Sequence, residues 1–210
     1  MEAGSEPGQQ TRFGVMEVDI GHRNLGESER RGPAPEPRQQ LRSIGHRVFT
    51  TTSKRHLSIL GTRTSVWADE AACAASARAL ADHPSLRDAY VELRGPLGAG
   101  KTTFVRHLLR ALGVTGRVKS PSYAVVEPYE LPSLNCWHFD FYRFTDPREW
   151  EDAGFRELFA APGLKLAEWP EKAEAMLPQA DLRIAIDPAE DESRAVRFDA
   201  YTPRGAELLA

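Results

Sequence analysis

Gly95-Pro96-Leu97-Gly98-Ala99-Gly100-Lys101-Thr102 is the stretch whose reading decides the fold. It has the form G-x-x-x-x-G-K-T, follows the apolar run Ala89-Tyr90-Val91-Glu92-Leu93, and precedes Phe104, Val105, Leu108, Leu109 and Leu112 at helical spacing. Strand, loop, helix is the context that turns this motif into a phosphate-binding site. Gly95, Gly98 and Gly100 let the backbone curl so that successive N–H groups point at phosphate oxygens, and the following helix adds the partial positive charge of its N-terminus. Lys101 is placed to reach the β- and γ-phosphates, and the Thr102 hydroxyl to take one position on Mg²⁺. The expected fold class is α/β, of the P-loop NTPase kind.

Length and composition set the limits around this loop. The chain has 210 residues, enough for one domain with a sizeable core plus an extension, but only 41% of them are hydrophobic. Cys73 and Cys136 are its only cysteines and lie in no C-x-x-C spacing, which argues against a zinc or disulfide framework and fits a reducing, cytoplasmic setting. No run approaches membrane-spanning length. Residues 1–63 carry a net charge of +3 and residues 64–210 a net charge of −6. The part holding the phosphate loop is therefore acidic, and a poor candidate for gripping nucleic acid unaided.

Residues 1–63 show no sustained period and are rich in Gly, Pro, Arg, Ser and Gln, which predicts a disordered or weakly ordered extension. The plainest account is a solvated tail or a start codon placed too far upstream. The ATPase-type domain is expected over 64–203, with 204–210 as a tail. Asp69 reads as the N-cap of an Ala-rich helix ending near Ala81, and Gly113 as the stop of the helix after the phosphate loop. Lys119-Ser120-Pro121-Ser122 is a polar loop that either closes over the γ-phosphate, with Ser122 offering a hydroxyl, or is a surface turn. Residues 124–129 and 135–139 read as a hairpin, which puts antiparallel pairing beside the parallel part of the sheet. Asp140 ends the second run, where such enzymes hold Mg²⁺ or orient water, though a strand-end Asp also caps turns; His138 is read as packing on the other face. A helical pattern covers 147–159, and Glu168 closes a short strand as a second carboxylate. Thr102 with two carboxylates makes a hard-oxygen site suited to Mg²⁺. Trp169 has two readings, core packing or a wall of the nucleotide pocket.

Four blocks in order carry a family likeness: Gly98-Ala99-Gly100-Lys101-Thr102-Thr103; Val118-Lys119-Ser120-Pro121-Ser122-Tyr123 with Val126-Glu127-Pro128-Tyr129; His138-Phe139-Asp140-Phe141-Tyr142-Arg143; and Glu168-Trp169-Pro170. From about Thr64 to Ala200 the chain resembles the TsaE (YjeE) family, the small ATPase subunit of the bacterial machinery that installs threonylcarbamoyl on adenosine 37 of tRNAs. The resemblance implies a mixed parallel and antiparallel sheet flanked by helices, with ATP as the nucleotide. It implies Thr102 and Glu168 as Mg²⁺ ligands and Asp140 as the catalytic acid residue, with Ser122 in a switch-like loop. Glu70 and Arg194 would border the nucleotide beside the loop from Gly95 to Thr103. It also implies TsaD and TsaB homologues as partners, contact with tRNA only through that complex, and weak ATP hydrolysis by the isolated chain. Pro96 departs from the Asp or Glu usual in the family, Cys73 from the common Thr, and residues 1–63 have no counterpart.

Two other functions share the phosphate loop. A small-molecule kinase would close an Arg-rich lid, for which Arg143, Arg148 and Arg156 are the candidates, scattered among acidic residues. A nucleotide-gated assembly module would bind ATP and hydrolyse it only incidentally. A GTPase is disfavoured because no N-K-x-D motif occurs.

Overall fold

The computed structural model describes residues 58–146, 150 and 153–210. Of the extension expected over residues 1–63, residues 1–57 lie outside the described residues, as do 147–149 and 151–152 of the helical pattern expected over 147–159. Seven strands, β1 (Gly61–Trp67), β2 (Tyr90–Arg94), β3 (Val126–Leu131), β4 (Leu134–Asp140), β5 (Leu164–Glu168), β6 (Leu182–Pro188) and β7 (Arg194–Ala200), form one sheet in the order β1-β7-β6-β2-β5-β4-β3. β6, β2, β5 and β4 run parallel, while β3, β7 and β1 pair antiparallel with their neighbours. Among the described residues four helices are complete, α1 (Glu70–Ala81), α2 (Lys101–Ala111), α3 (Phe155–Ala160) and α4 (Pro203–Glu207). The mixed α/β sheet expected from the sequence is thus present. None of the described helices is long and apolar enough to cross a membrane.

The alternation of β2 divides the core between the two faces of the sheet. Val91 and Leu93 join Cys73, Ala77 and Leu80 of α1 and Phe104, Val105, Leu108 and Leu109 of α2. Tyr90 faces the other way, into an aromatic cluster with Phe139, Phe141, Trp150 and Phe155. Phe159 packs against that cluster, its ring centroid 4.8 Å from that of Phe139. Local signals behave as expected at the helix ends. Asp69 accepts the Ala72 N–H at 2.8 Å, and Gly113 leaves α2 with φ +106°.

Three expectations are corrected. The boundary drawn at Thr64 falls inside β1, which pairs with β7 from Gly61↔Ala200 to Trp67↔Arg194. β1 is an edge strand with only Trp67 buried, so its sequence shows no apolar alternation. Residues 204–210 are not a tail: Thr202 accepts the Gly205 N–H at 3.1 Å, α4 follows, and Leu208 is wholly buried. His138 lies on the same face as Asp140, because residues two apart in a strand point the same way.

Because Leu208 fills core space, Leu208→Ala is expected to cost about 3 kcal/mol of stability, read as a lower urea midpoint at unchanged slope. A neutral substitution would restore the tail reading.

Candidate functional site

β2 delivers the chain into a loop whose glycines take positive φ, +145° at Gly95, +80° at Gly98 and +107° at Gly100. At Gly95 the backbone runs so close to β6 that a Cβ would sit 2.3 Å from the Ile186 carbonyl oxygen. The Ala99 N–H closes the loop on the Pro96 carbonyl at 3.2 Å, and Arg194 Nε donates to the Ala99 carbonyl at 3.1 Å. α2 then starts at Lys101 with no side-chain cap. Its first-turn N–H groups, on Lys101, Thr102 and Thr103, have no intrahelical acceptor, so a helix N-terminus faces the loop.

Three adjacent parallel strands bring the expected side chains together at their carboxyl ends. β2 carries the loop, β5 lies beside it and β4 beside β5, with Asp140 of β4 and Glu168 of β5 as register partners. Thr102 Oγ1 donates to the Glu168 carboxylate, 2.8 Å from Oε1 and 3.0 Å from Oε2. Lys101 Nζ is folded onto the Gly95 and Pro96 carbonyls, at 2.7 and 2.9 Å, and lies 3.9 Å from the centre of the Trp169 ring. Burial lowers the Lys101 ammonium from its ordinary range, and the carboxylates of Glu168, Glu171 and Asp140 offset part of that shift. Trp169 therefore lies over Lys101, its ring tilted at 51° to that of Tyr142 with centroids 5.0 Å apart, and it also borders the aromatic cluster.

Asp140 is held from the opposite side. Ser120 and Ser122 both donate to its Oδ2, Ser122 at 2.9 Å, and the Tyr142 N–H donates to Oδ1 at 3.0 Å. The polar loop at 119–122 thus packs on the carboxylate. Ser120 was not singled out by the sequence reading, and the signal for it was its place in the same Ser-Pro-Ser turn. Lys119 is exposed.

Two expected residues sit at the rim. Glu70 pairs with His107 Nε2 at 3.0 Å, linking α1 to α2. Arg194 braces the loop through its backbone. His138, expected as packing on the other face, belongs to this cluster instead: it is fully buried, and its Nε2 lies 2.9 Å from Glu168 Oε1. Strand alternation was the signal that could have found it, since it places His138 with Asp140.

Among the described residues no three His, Cys, Asp or Glu side chains form a metal-ligand cluster. The donor set of a Thr hydroxyl with one carboxylate fits Mg²⁺, which keeps several waters and takes further oxygens from substrate phosphates.

The family model for threonylcarbamoyl adenosine biosynthesis protein TsaE matches residues 67–196. The protein named tRNA threonylcarbamoyladenosine biosynthesis protein TsaE in Haemophilus influenzae is 42% identical over 120 residues, covering 57% of this chain and 75% of that protein. Its namesake in Bacillus subtilis is 42% identical over 112 residues, covering 53% and 70%. The crystal structure of Bacillus subtilis YdiB is similar in fold, with a TM-score of 0.59 at 29% identity over 71% of this chain and 92% of that one.

The buried cysteines give a check on this geometry. Burial first, then the charge of Glu70, raises the Cys73 thiol to about 12, with Arg194 pulling the other way. Burial likewise raises Cys136. A raised thiol stays protonated and unreactive as pH climbs past the ordinary thiol range. Neither cysteine should react with an aromatic disulfide reagent at pH 8 to 9 until urea unfolds the chain; fast native labelling of Cys73 would contradict the packing of α1 against α2.

Proposed function

The chain belongs to the TsaE family, and on that premise we propose that it is a Mg²⁺-dependent ATPase subunit serving threonylcarbamoylation of adenosine 37 in tRNA. It acts in the cytoplasm beside homologues of TsaD and TsaB and meets tRNA only through them. Its hydrolysis resets the partner assembly between cycles, and the transfer chemistry belongs to the partner. The observation that carries this reading is the Thr102–Glu168 contact at 2.8 Å, set beside Lys101 at the N-terminus of α2.

Each residue's task follows from its chemistry. The loop from Gly95 to Gly100 offers backbone N–H groups to the phosphates, and the first turn of α2, through Thr103, adds more. Lys101 exchanges its carbonyl partners for phosphate oxygens, which relieves the cost of its burial. Thr102 and Glu168 would hold Mg²⁺, which supplies charge neutralisation on the phosphate oxygens when bound. Asp140, fixed by Ser120, Ser122 and the Tyr142 N–H, orients the attacking water. Trp169 walls the nucleotide, while Glu70 and Arg194 support the rim and the loop. A kinase lid finds little support: Arg143 lies 4.3 Å over the Tyr123 ring.

Turnover of ATP by the chain alone should be slow and should rise at least tenfold with both partners present. A rate indifferent to them removes the partner-activated reading. Asp140→Ala is expected to bind ATP within about threefold of wild type yet lose about 100-fold in hydrolysis, and to stall a multiple-turnover modification assay after one cycle. Continued cycling would favour the assembly-module reading. Thr102→Ala or Glu168→Ala should weaken nucleotide binding about 10- to 100-fold in Mg²⁺ and little in EDTA; unchanged Mg²⁺ dependence in both excludes the ligand pair.

A further inference from the structure

His138 has no task in the mechanism just given, and its surroundings are unlike those of a packing residue. The ring is fully buried on β4, with Nε2 2.9 Å from Glu168 Oε1 and Nδ1 without a hydrogen-bond partner. A carboxylate oxygen can only accept, so Nε2 carries the proton and donates. If the position served packing alone, a phenyl or isobutyl group would fill it without burying an unpaired nitrogen. The imidazole therefore brings a cost that only its Nε2 bond explains.

The use of that bond follows from who else holds Glu168. Among the described residues its side-chain carboxylate has two hydrogen-bond partners, Thr102 and His138. Thr102 is itself a proposed ligand, and its oxygen would be drawn to the cation. His138 is the partner that stays. It projects from the strand next to β5, two residues before Asp140, so it is anchored in the sheet rather than in a loop.

We infer that His138 is a positioning residue for Glu168: through Nε2–H it fixes the carboxylate beside Thr102 and thereby sets the affinity of the site for Mg²⁺. The inference rests on the proposed role of Thr102 and Glu168. Carboxylates that bind metals are themselves held by hydrogen bonds, and loss of such a partner typically weakens metal binding 10- to 100-fold.

The test uses the full chain, a fluorescent ADP analogue as probe, and binding measured in Mg²⁺ and in EDTA. His138→Gln puts an amide N–H near the place of Nε2, whereas His138→Asn is too short to reach Glu168. The Asn variant is expected to lose about 10- to 100-fold in Mg²⁺ while staying within about twofold of wild type in EDTA, with Gln recovering most of the loss. Equal losses in Gln and Asn, or equal losses in Mg²⁺ and EDTA, would make His138 a packing residue and overturn the inference. So would wild-type behaviour of the Asn variant, with the Mg²⁺ site itself left standing. A wild-type protein that binds the probe no better in Mg²⁺ than in EDTA overturns the ligand assignment and this inference together. Should the Asn variant fail to fold, nitrogen NMR of the wild-type ring decides: protonated Nε2 supports the role, and a ring protonated only on Nδ1 excludes it.

Discussion

A lysine ammonium shut away from water at the positive end of a helix is the constraint on which the rest of the site depends. Lys101 is 4% exposed and is the first residue of α2. Burial and the helix dipole both oppose its charge. The structure answers with two loop carbonyls, the face of Trp169, and the nearby charges of Glu168, Glu171 and Asp140. These partners come from the loop after β2 and from the ends of β5 and β4, so the strand order β2-β5-β4 is what makes the buried cation tolerable. The acidity of residues 64–210 thus has a local use, since some of the carboxylates are gathered around one cation.

Backbone strain marks the two places where this answer is assembled. Trp169 and Val125 take φ of +56° and +64°, a region costly for residues with a Cβ and most costly for a β-branched one. At Trp169 the left-handed turn immediately after Glu168 carries the indole over Lys101. At Val125 it lets the N–H reach the Pro121 carbonyl at 2.6 Å while its own carbonyl accepts the Asp140 N–H at 2.9 Å. The turn bearing Ser122 and the end of β4 are therefore tied by both backbone and side chain.

The sequence made legible what local chemistry dictates, and left obscure what depends on pairing. A phosphate loop must have its glycines, lysine and threonine in one short stretch, so that part of the site could be read directly. Asp140 and Glu168 could each be seen at a strand end. That they are register partners follows from β4 lying beside β5, and no local pattern states which strands are neighbours. β1 escaped notice because an edge strand of Thr, Arg and Ser needs no apolar alternation, only the backbone of β7. The hydrogen bond between Glu70 and His107 joins two helices across 37 positions of sequence, beyond the reach of helical spacing. α4 and His138 were readable: Thr202-Pro203 is a helix-start signature, and His138 shares the parity of Asp140.

Asp140 and Glu168 stand side by side in the sheet yet are held in different ways, a difference that suits the separate tasks proposed for them. Glu168 is bound by donors from a helix and a strand, both packed in the core, so its place is set by the rigid part of the fold. Asp140 is bound through Oδ2 by the hydroxyls of a turn and through Oδ1 by the Tyr142 N–H, so its place is set by a loop packed on the end of β4. A carboxylate that holds a cation gains from being fixed, because every loss of geometry is a loss of affinity. A carboxylate that aligns water at the right moment gains from a support that can be adjusted. On the proposed function, the sheet thus sets a metal ligand held from its core beside a water-aligning carboxylate held by a loop, at the ends of adjacent strands.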